Sequence, residues 1–545
     1  MNISIFYIAI ITLIGTILRL IGFYKAGGLW NDEYVSWYIS SIPIGKGFIH
    51  GILTQCHMPF YYIYLKFITL FSNSDILLRL SSIIPGIIAI PAMYMVGREK
   101  NKLTGVMCAL FTALSSFLVY YSQEVRFYSL LFLFSALSLY FTIRIIQKPN
   151  KKNLIGLLIF NFLILFTHTI GFVYVFFDIC FICFKLYKQF KNIILKLLIT
   201  SGILFLTALP FTIKIFTTVS FSQWWASFSF YRVLQFISDY FSPVIANVSL
   251  VENLHSFNYI TVFAAISSCI AVVVMFAAIF DRYLRYENQI GYIALGTFIV
   301  AIIAALTGKL VFESKYIIEI YPILILIFCS TIDSCDKKWF KILVFSIFFS
   351  LQFLFVLTPR YVSYLPREEG NKYVAELIQH ANLKENDFIV LTYYPKYRFE
   401  KYQDFSKFNV LEIHKGNFNE FYLPELTYKQ AVIEGKDKYR STFANSVLPQ
   451  NKFIGSKLIF EINNQVYFKM KKGQKVSFVF LDSVSFLDEN TITNIIYNEQ
   501  LYKKVPLLYL VFSDIRNEII KTIPINAKNI RYEALGNWTI VTFEY

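Results

Sequence analysis

The feature that most constrains this chain is a succession of apolar runs, each read as a helix crossing the roughly 30 Å hydrocarbon core of a bilayer. The runs are residues 3–23, 80–96, 103–121, 127–146, 154–166, 170–184, 193–213, 260–280, 290–306, 316–332 and 340–357. That makes about eleven spans. Run 154–166 is short for a span and must tilt, thin the bilayer or be shielded by protein. Composition agrees, since 56% hydrophobic and 19% aromatic residues exceed what a soluble domain carries. The first run is too long for a signal-peptide core and lacks a clean small-residue cleavage site, so it is read as a retained span.

The formal charge of +16 does not point to nucleic acid, because the basic residues are not gathered in one domain. Many sit in short loops between apolar runs. With the N-terminus in the cytoplasm, loops 98–102, 148–152, 185–196, 281–287 and 333–338 all lie inside, each with at least two Lys or Arg. This is the positive-inside pattern of a bacterial inner-membrane protein. The opposite face then collects the polar residues with chemical potential: a first outer loop (24–79), the 123–126 junction, His168, a large outer loop (214–258) and residues 309–315. Trp224 and Trp225 in the large loop read as interfacial anchors or as a cover over a site. None of the seven cysteines lies beyond residue 335, so no disulfide framework is expected in the C-terminal region. The Cys180–Cys183 pair, inside a span, reads as packing.

After Pro359 the composition changes. Residues 361–545 carry strand-like runs at 387–394, 457–462, 465–470, 476–482, 507–513 and 538–545, and a helical pattern at 368–381. The expected architecture is therefore a polytopic α-helical membrane domain (1–360) followed by an extracytoplasmic mixed α/β domain (361–545). The soluble part shows no nucleotide loop, zinc spacing or catalytic triad motif.

Three motifs stand in order along the first 130 residues: Asp32-Glu33, then His57-Met58-Pro59-Phe60-Tyr61, then Gln123-Glu124-Val125-Arg126-Phe127-Tyr128. Adjacent acids beside a bilayer are costly unless solvated, paired or metal-bound. Together the motifs resemble those of bacterial relatives of the protein O-mannosyltransferases. That family has an Asp-Glu pair after the first span, a His-Pro-Pro-Leu-Tyr-like box in the same loop, and a Gln-Glu-Ala-Arg-x-Tyr box opening the fourth span. The likeness covers roughly residues 1–360 and is strongest in the first 130. Lipid A aminoarabinose transferases share the same C-type glycosyltransferase (GT-C) fold.

The resemblance implies an inverting transfer of one sugar from a polyprenyl-phosphate carrier to an extracytoplasmic acceptor on a glycolipid, a glycan or a protein. An attacking hydroxyl must lose its proton, so Asp32 is the candidate general base, with Glu33 orienting it or meeting the acceptor. The departing phosphate needs positive charge, and Arg126 and Lys315 are the candidates. Lys315 stands where the family often has Arg, which keeps the charge without the bidentate fork. His57, Pro59, Tyr61, Glu124, Tyr128 and His168 are the expected lining. No obligatory metal is expected, although Asp32, Glu33, Glu124 and His57 include the donor types of a divalent site.

Plainer readings compete. The plainer reading of Arg126 with Glu124 is a structural ion pair at a helix end, and that of Lys315 a side chain snorkelling to headgroups. His57 reads as shaping its loop rather than ligating metal, and His168 as a satisfied polar turn. Asp178, an acid within run 170–184, reads as a paired structural group. At the level of the whole chain, an O-antigen ligase or polymerase, a flippase or permease, and a lipid-binding sensor are the alternatives.

Overall fold

The computed structural model describes residues 3–23, 28–53, 57–188, 190–218, 289–307, 312–356, 370–393, 396–414, 465–481, 527–535 and 538–544, with a few isolated positions between 233 and 274 and near 462 and 523. Trp224 and Trp225, run 260–280 apart from residues 266, 267 and 269–274, loop 281–287, strand 507–513 and nearly all of strand 457–462 lie outside these residues. The chain divides into two compact units, residues 1–23 with 36–365, and residues 24–35 with 366–545. The first outer loop is thus shared between the two units, with its first twelve residues grouped with the C-terminal region.

The first unit is helical. Its helices are α1 (Ile3–Leu20), α2 (Asn31–Ser41, whose first residues belong to the second unit), α3 (Lys46–Leu53), α4 (Phe60–Thr69), α5 (Asp75–Arg98), α6 (Lys102–Leu114), α7 (Ser116–Ser122), α8 (Tyr128–Gln147), α9 (Lys151–Thr167), α10 (Gly171–Leu186), α11 (Lys191–Thr218), α12 (Gly291–Leu306), α13 (Tyr321–Ser334) and α14 (Lys338–Val356). Among the described residues four helices are long and apolar enough to cross a membrane, Asp75–Arg98, Tyr128–Gln147, Lys191–Ile215 and Ser314–Ser334. The α6–α7 pair adds a fifth if it is counted as one span. Helix α5 packs against α6 and α8, α8 against α9, and α10 against α12.

Run 103–121 is not one straight helix. It breaks by 55° between α6 and α7. Ser115 leaves the helical region (φ −56°, ψ 115°), and its Oγ accepts from the Leu118 amide at 3.3 Å as an N-cap. The carbonyls left over at the end of α6 need donors inside an apolar unit. Buried Arg19 supplies them, its guanidinium donating to Thr112 O at 2.9 Å and Ala113 O at 3.2 Å.

The second unit holds a five-stranded mixed sheet in the order β2-β1-β3-β5-β4. Its strands are β1 (Phe388–Tyr393), β2 (Asn409–His414), β3 (Lys475–Leu481), β4 (Lys528–Leu535) and β5 (Trp538–Glu544). β1 runs parallel to β2 and β3, and β5 antiparallel to β3 and β4. Helix α15 (Asn371–His380) lays Val374, Leu377 and Ile378 over Ile389, Leu391, Val479, Trp538 and Ile540. The strand expected at 465–470 is instead a 3-10 turn, Tyr467–Lys469. Its amides bond locally, Lys469 N and Met470 N to Val466 O, and Phe468 is 79% exposed. An alternating pattern yields a strand only where a partner edge and a covered face are available.

Candidate functional site

The motif at 123–128 is a helix interruption between α7 and α8, and several of its residues reach different neighbours. Gln123 Nε2 donates to Arg19 O at 3.0 Å and Ile21 O at 2.8 Å, closing the C-terminal end of α1. Arg79 Nη1 donates to Gln123 O at 2.9 Å, and Arg126 N–H bonds back to Glu124 O at 2.7 Å. Ser82 Oγ holds Arg126 O at 3.1 Å. The backbone of the turn is therefore pinned, and the direction of its side chains with it. Glu124 and Tyr128 are both buried there.

The buried Arg126 guanidinium donates through Nη2 to His57 Nε2 at 2.8 Å and through Nη1 to Ser36 Oγ at 3.2 Å. A guanidinium has only donors, so His57 Nε2 is the acceptor and its ring proton sits on Nδ1. Burial first, and then the charges of Arg126, His168 and Lys315, hold the His57 imidazole well below its ordinary value of 6.5. His57 is thus neutral near pH 7, the state this hydrogen bond requires. Ring contacts and hydrogen bonds link four residues distant in sequence: His57 before α4, Arg126 before α8, His168 between α9 and α10, and Lys315 in the 3-10 segment Ser314–Ile320 that leads into α13.

Phe127 is the apolar centre of this cluster. Its ring lies 5.1 Å from the rings of both His57 and His168, stacked on the latter, and 6.3 Å from Tyr61. The guanidinium of Arg126 sits 5.5 Å above it. His168 Nδ1 pairs with buried Glu319 Oε1 at 2.7 Å, and its ring also stacks on Tyr316 at 6.1 Å. Lys315 Nζ pairs with Glu313 at 2.8 Å and lies 5.1 Å over the Tyr316 ring. Pro59 occupies the N-cap of α4, where its fixed φ of −72° starts the helix and its missing N–H goes unneeded.

Asp32 and Glu33 are grouped with the second unit. Both lie in the first turn of α2, and Ser36 follows Asp32 one turn along the same helix. Glu33 is buried and its Oε2 accepts from the Trp30 amide at 3.1 Å, the return half of a capping box. Acidic side chains in a first turn also complement the helix macrodipole. Among the described residues no three His, Cys, Asp or Glu side chains gather as a metal site.

Residues 57–213 match the family described as dolichyl-phosphate-mannose-protein mannosyltransferase. No curated protein matches the chain. Among solved structures, ArnT from Cupriavidus metallidurans in the apo state aligns with a TM-score of 0.51 at 9% identity, over 99% of this chain and 97% of that one. The same ArnT bound to undecaprenyl phosphate aligns at 0.47 and 12% identity, covering 99% and 97% of the two chains. An oligosaccharyltransferase from Archaeoglobus fulgidus aligns at 0.47 and 12% identity, covering 96% and 71%. The shared fold rests on the first of these. The chain is a glycosyltransferase of the GT-C fold. It resembles protein mannosyltransferases and ArnT, and it is a multi-pass membrane protein.

Three participants in this glycosyltransferase's cluster are missing from the motif reading. Phe127 sits inside the 123–128 box, yet as an aromatic in an apolar chain it carries no signal until its neighbours are known. Ser36 has none either. Glu319 does carry one, since an acid within run 316–332 is costly unless partnered.

Proposed function

We propose that the enzyme transfers a sugar from a polyprenyl-phosphate carrier to an acceptor hydroxyl on the extracytoplasmic face, with inversion at the anomeric carbon. The observation that carries this reading is the meeting of Arg126, His57 and His168 around the Phe127 ring, with Lys315 over the Tyr316 ring on which His168 also stacks, in the unit that contains the matched segment. Such a grouping suits a phosphate whose negative charge increases during reaction. As the bond from the anomeric carbon to the phosphate oxygen breaks, its electron pair goes to that oxygen, turning a diester into a monoester. Donors held in place beforehand stabilise this charge without reorganising. Arg126 is fixed for that task by His57, Ser36 and the Phe127 ring.

The acceptor oxygen forms the new bond to the anomeric carbon, and its proton passes to Asp32. The match of Asp32 to the acid that follows the first span in the resembling family, and its place in the first turn of α2, support this assignment. Glu33, engaged with the Trp30 amide, orients that turn. The positive-inside pattern supports the extracytoplasmic face. The acceptor is a hydroxyl on a glycolipid, glycan or protein.

The test is single-turnover transfer from a labelled undecaprenyl-phosphate sugar, with donor binding measured alongside, in nanodiscs. Asp32→Asn should transfer at least about 10² more slowly, the lower end of general-base effects, while donor binding persists. Transfer within about threefold of wild type would exclude Asp32 as the base. Loss of binding and transfer together would assign the carboxylate to organising the site.

A further inference from the structure

Residues 28–35 carry the acid pair, and the C-terminal region grips them at three points. The Leu29 amide donates to Tyr402 Oη at 2.8 Å. The Leu29 carbonyl accepts from the Asn371 amide at 3.1 Å. That amide opens α15 and would otherwise be an orphan donor, so the strap serves as the cap of this helix. The phenol of Tyr34 donates to Tyr397 O. Both hydrogen-bonding groups of Leu29 are thus consumed by the C-terminal region, and its side chain is fully buried.

Gly28 shows how closely the strap is seated. Its φ is +71°, and a Cβ there would stand 2.6 Å from Tyr402 Oη and 3.0 Å from Lys372 Cβ. A side chain would have to strain the backbone and displace the phenol at once. Asp32 lies between the Leu29 and Tyr34 anchors, three residues from one and two from the other. Glu33 ties the same turn to the Trp30 amide from within.

We infer that the C-terminal region is a positioning device for the Asp32 carboxylate, with Tyr402 as its principal positioning residue through the Leu29 amide. The inference rests on Asp32 being the general base. It gives the soluble part of the chain a task in the chemical step rather than in donor capture. A proton acceptor displaced by about 1 Å can cost on the order of 10²-fold in rate, so a loosened strap should register in turnover.

The test uses the full chain in nanodiscs with Tyr402→Phe, which keeps the ring and removes the acceptor of the Leu29 N–H. The expected result is kcat lowered about tenfold at unchanged donor KM. Hydrogen exchange in residues 28–34 should quicken, with Tm unchanged. Combined with Asp32→Asn, Tyr402→Phe should cost nothing further, because it acts through that carboxylate. Gly28→Ala serves as a second probe and should reproduce the kcat loss. Unchanged kcat in both variants, or a loss that adds fully to that of Asp32→Asn, would overturn the inference. If Asp32→Asn itself transfers normally, the inference falls with the base assignment, and intact exchange protection would show that the clasp remains as a structural tie.

Discussion

Two polar clusters inside the helical unit are built in opposite ways. At the first, Asp178 of α10 accepts from Thr142 Oγ1 of α8 at 2.7 Å and Asn161 Nδ2 of α9 at 3.2 Å, while Ser138 Oγ donates to Asn161 Oδ1 at 2.6 Å. Every member stands in the middle of a regular helix, and the bonds tie three helices together. At the second, His57, Arg126, His168 and Lys315 all stand where a helix begins, ends or changes pitch. The backbone there is free to set His57, Arg126 and His168 around the Phe127 ring, with Lys315 over Tyr316 beside them. A buried acid that satisfies itself against neutral neighbours holds helices together. The second cluster instead sets Arg126 against a neutral imidazole and pairs His168 and Lys315 with carboxylates, all at helix interruptions.

The largest expected effect tests that contrast directly. Arg126→Ala removes the group bonded to both His57 and Ser36 and should lower transfer by about 10²–10³, the range seen when a preorganised donor to a developing anion is lost. Arg126→Lys should retain part of the rate, as a point charge without the fork. Equal rates for Arg126→Ala and wild type in the single-turnover assay would reduce the cluster to scaffolding.

Next in size is Glu319→Gln. The carboxylate partner holds the His168 ring at 2.7 Å, and the amide would hold it more weakly. Transfer should fall by about tenfold, and phosphate-analogue binding should weaken with it. A variant that loses thermal stability alone would make the His168–Glu319 pair a counterpart of the Asp178 tie.

The third effect is one of pH. His57 is held below its ordinary value of 6.5, so the unfolded chain takes up a proton that the folded chain refuses. Its contribution is therefore undiminished above pH 6.5 and turns unfavourable as the pH falls below it. The Tm of the wild type should drop more between pH 7 and pH 5 than that of His57→Gln, whose amide oxygen still accepts from Arg126. Parallel Tm profiles would remove His57 from the acid response.

Smallest should be the effect of Asp178→Asn on catalysis. The amide keeps one acceptor and Asn161 can rotate to meet its new donor, so transfer should stay within about threefold while Tm falls by a few degrees. A catalytic loss matching that of Arg126→Ala would erase the distinction between the two clusters.

Much of the helical unit was legible in the sequence because membrane burial is written in length and hydropathy. The runs at 80–96, 127–146 and 193–213 correspond to long helices. The motifs at 57–61 and 123–128 marked the segments that meet at Arg126. The break at Ser115 was not legible, because neither its serine cap nor Arg19, 96 residues earlier, differs in type from residues that sit in unbroken helices. In the C-terminal region the runs around β1, β3 and β5 stood out as apolar. β2 and β4 did not, being edge strands that bury less of themselves.

What the sequence by itself determined was chemistry and order: which side chains carry charge, on which runs, and in what succession. Tertiary structure alone decided their company. Arg126 finds His57 and Ser36, His168 finds Glu319, and the Leu29 peptide finds Tyr402, 373 residues away. Local periodicity reports the burial of one segment at a time. A hydrogen bond across hundreds of residues depends on where two distant stretches of backbone come to rest, and no local pattern encodes that.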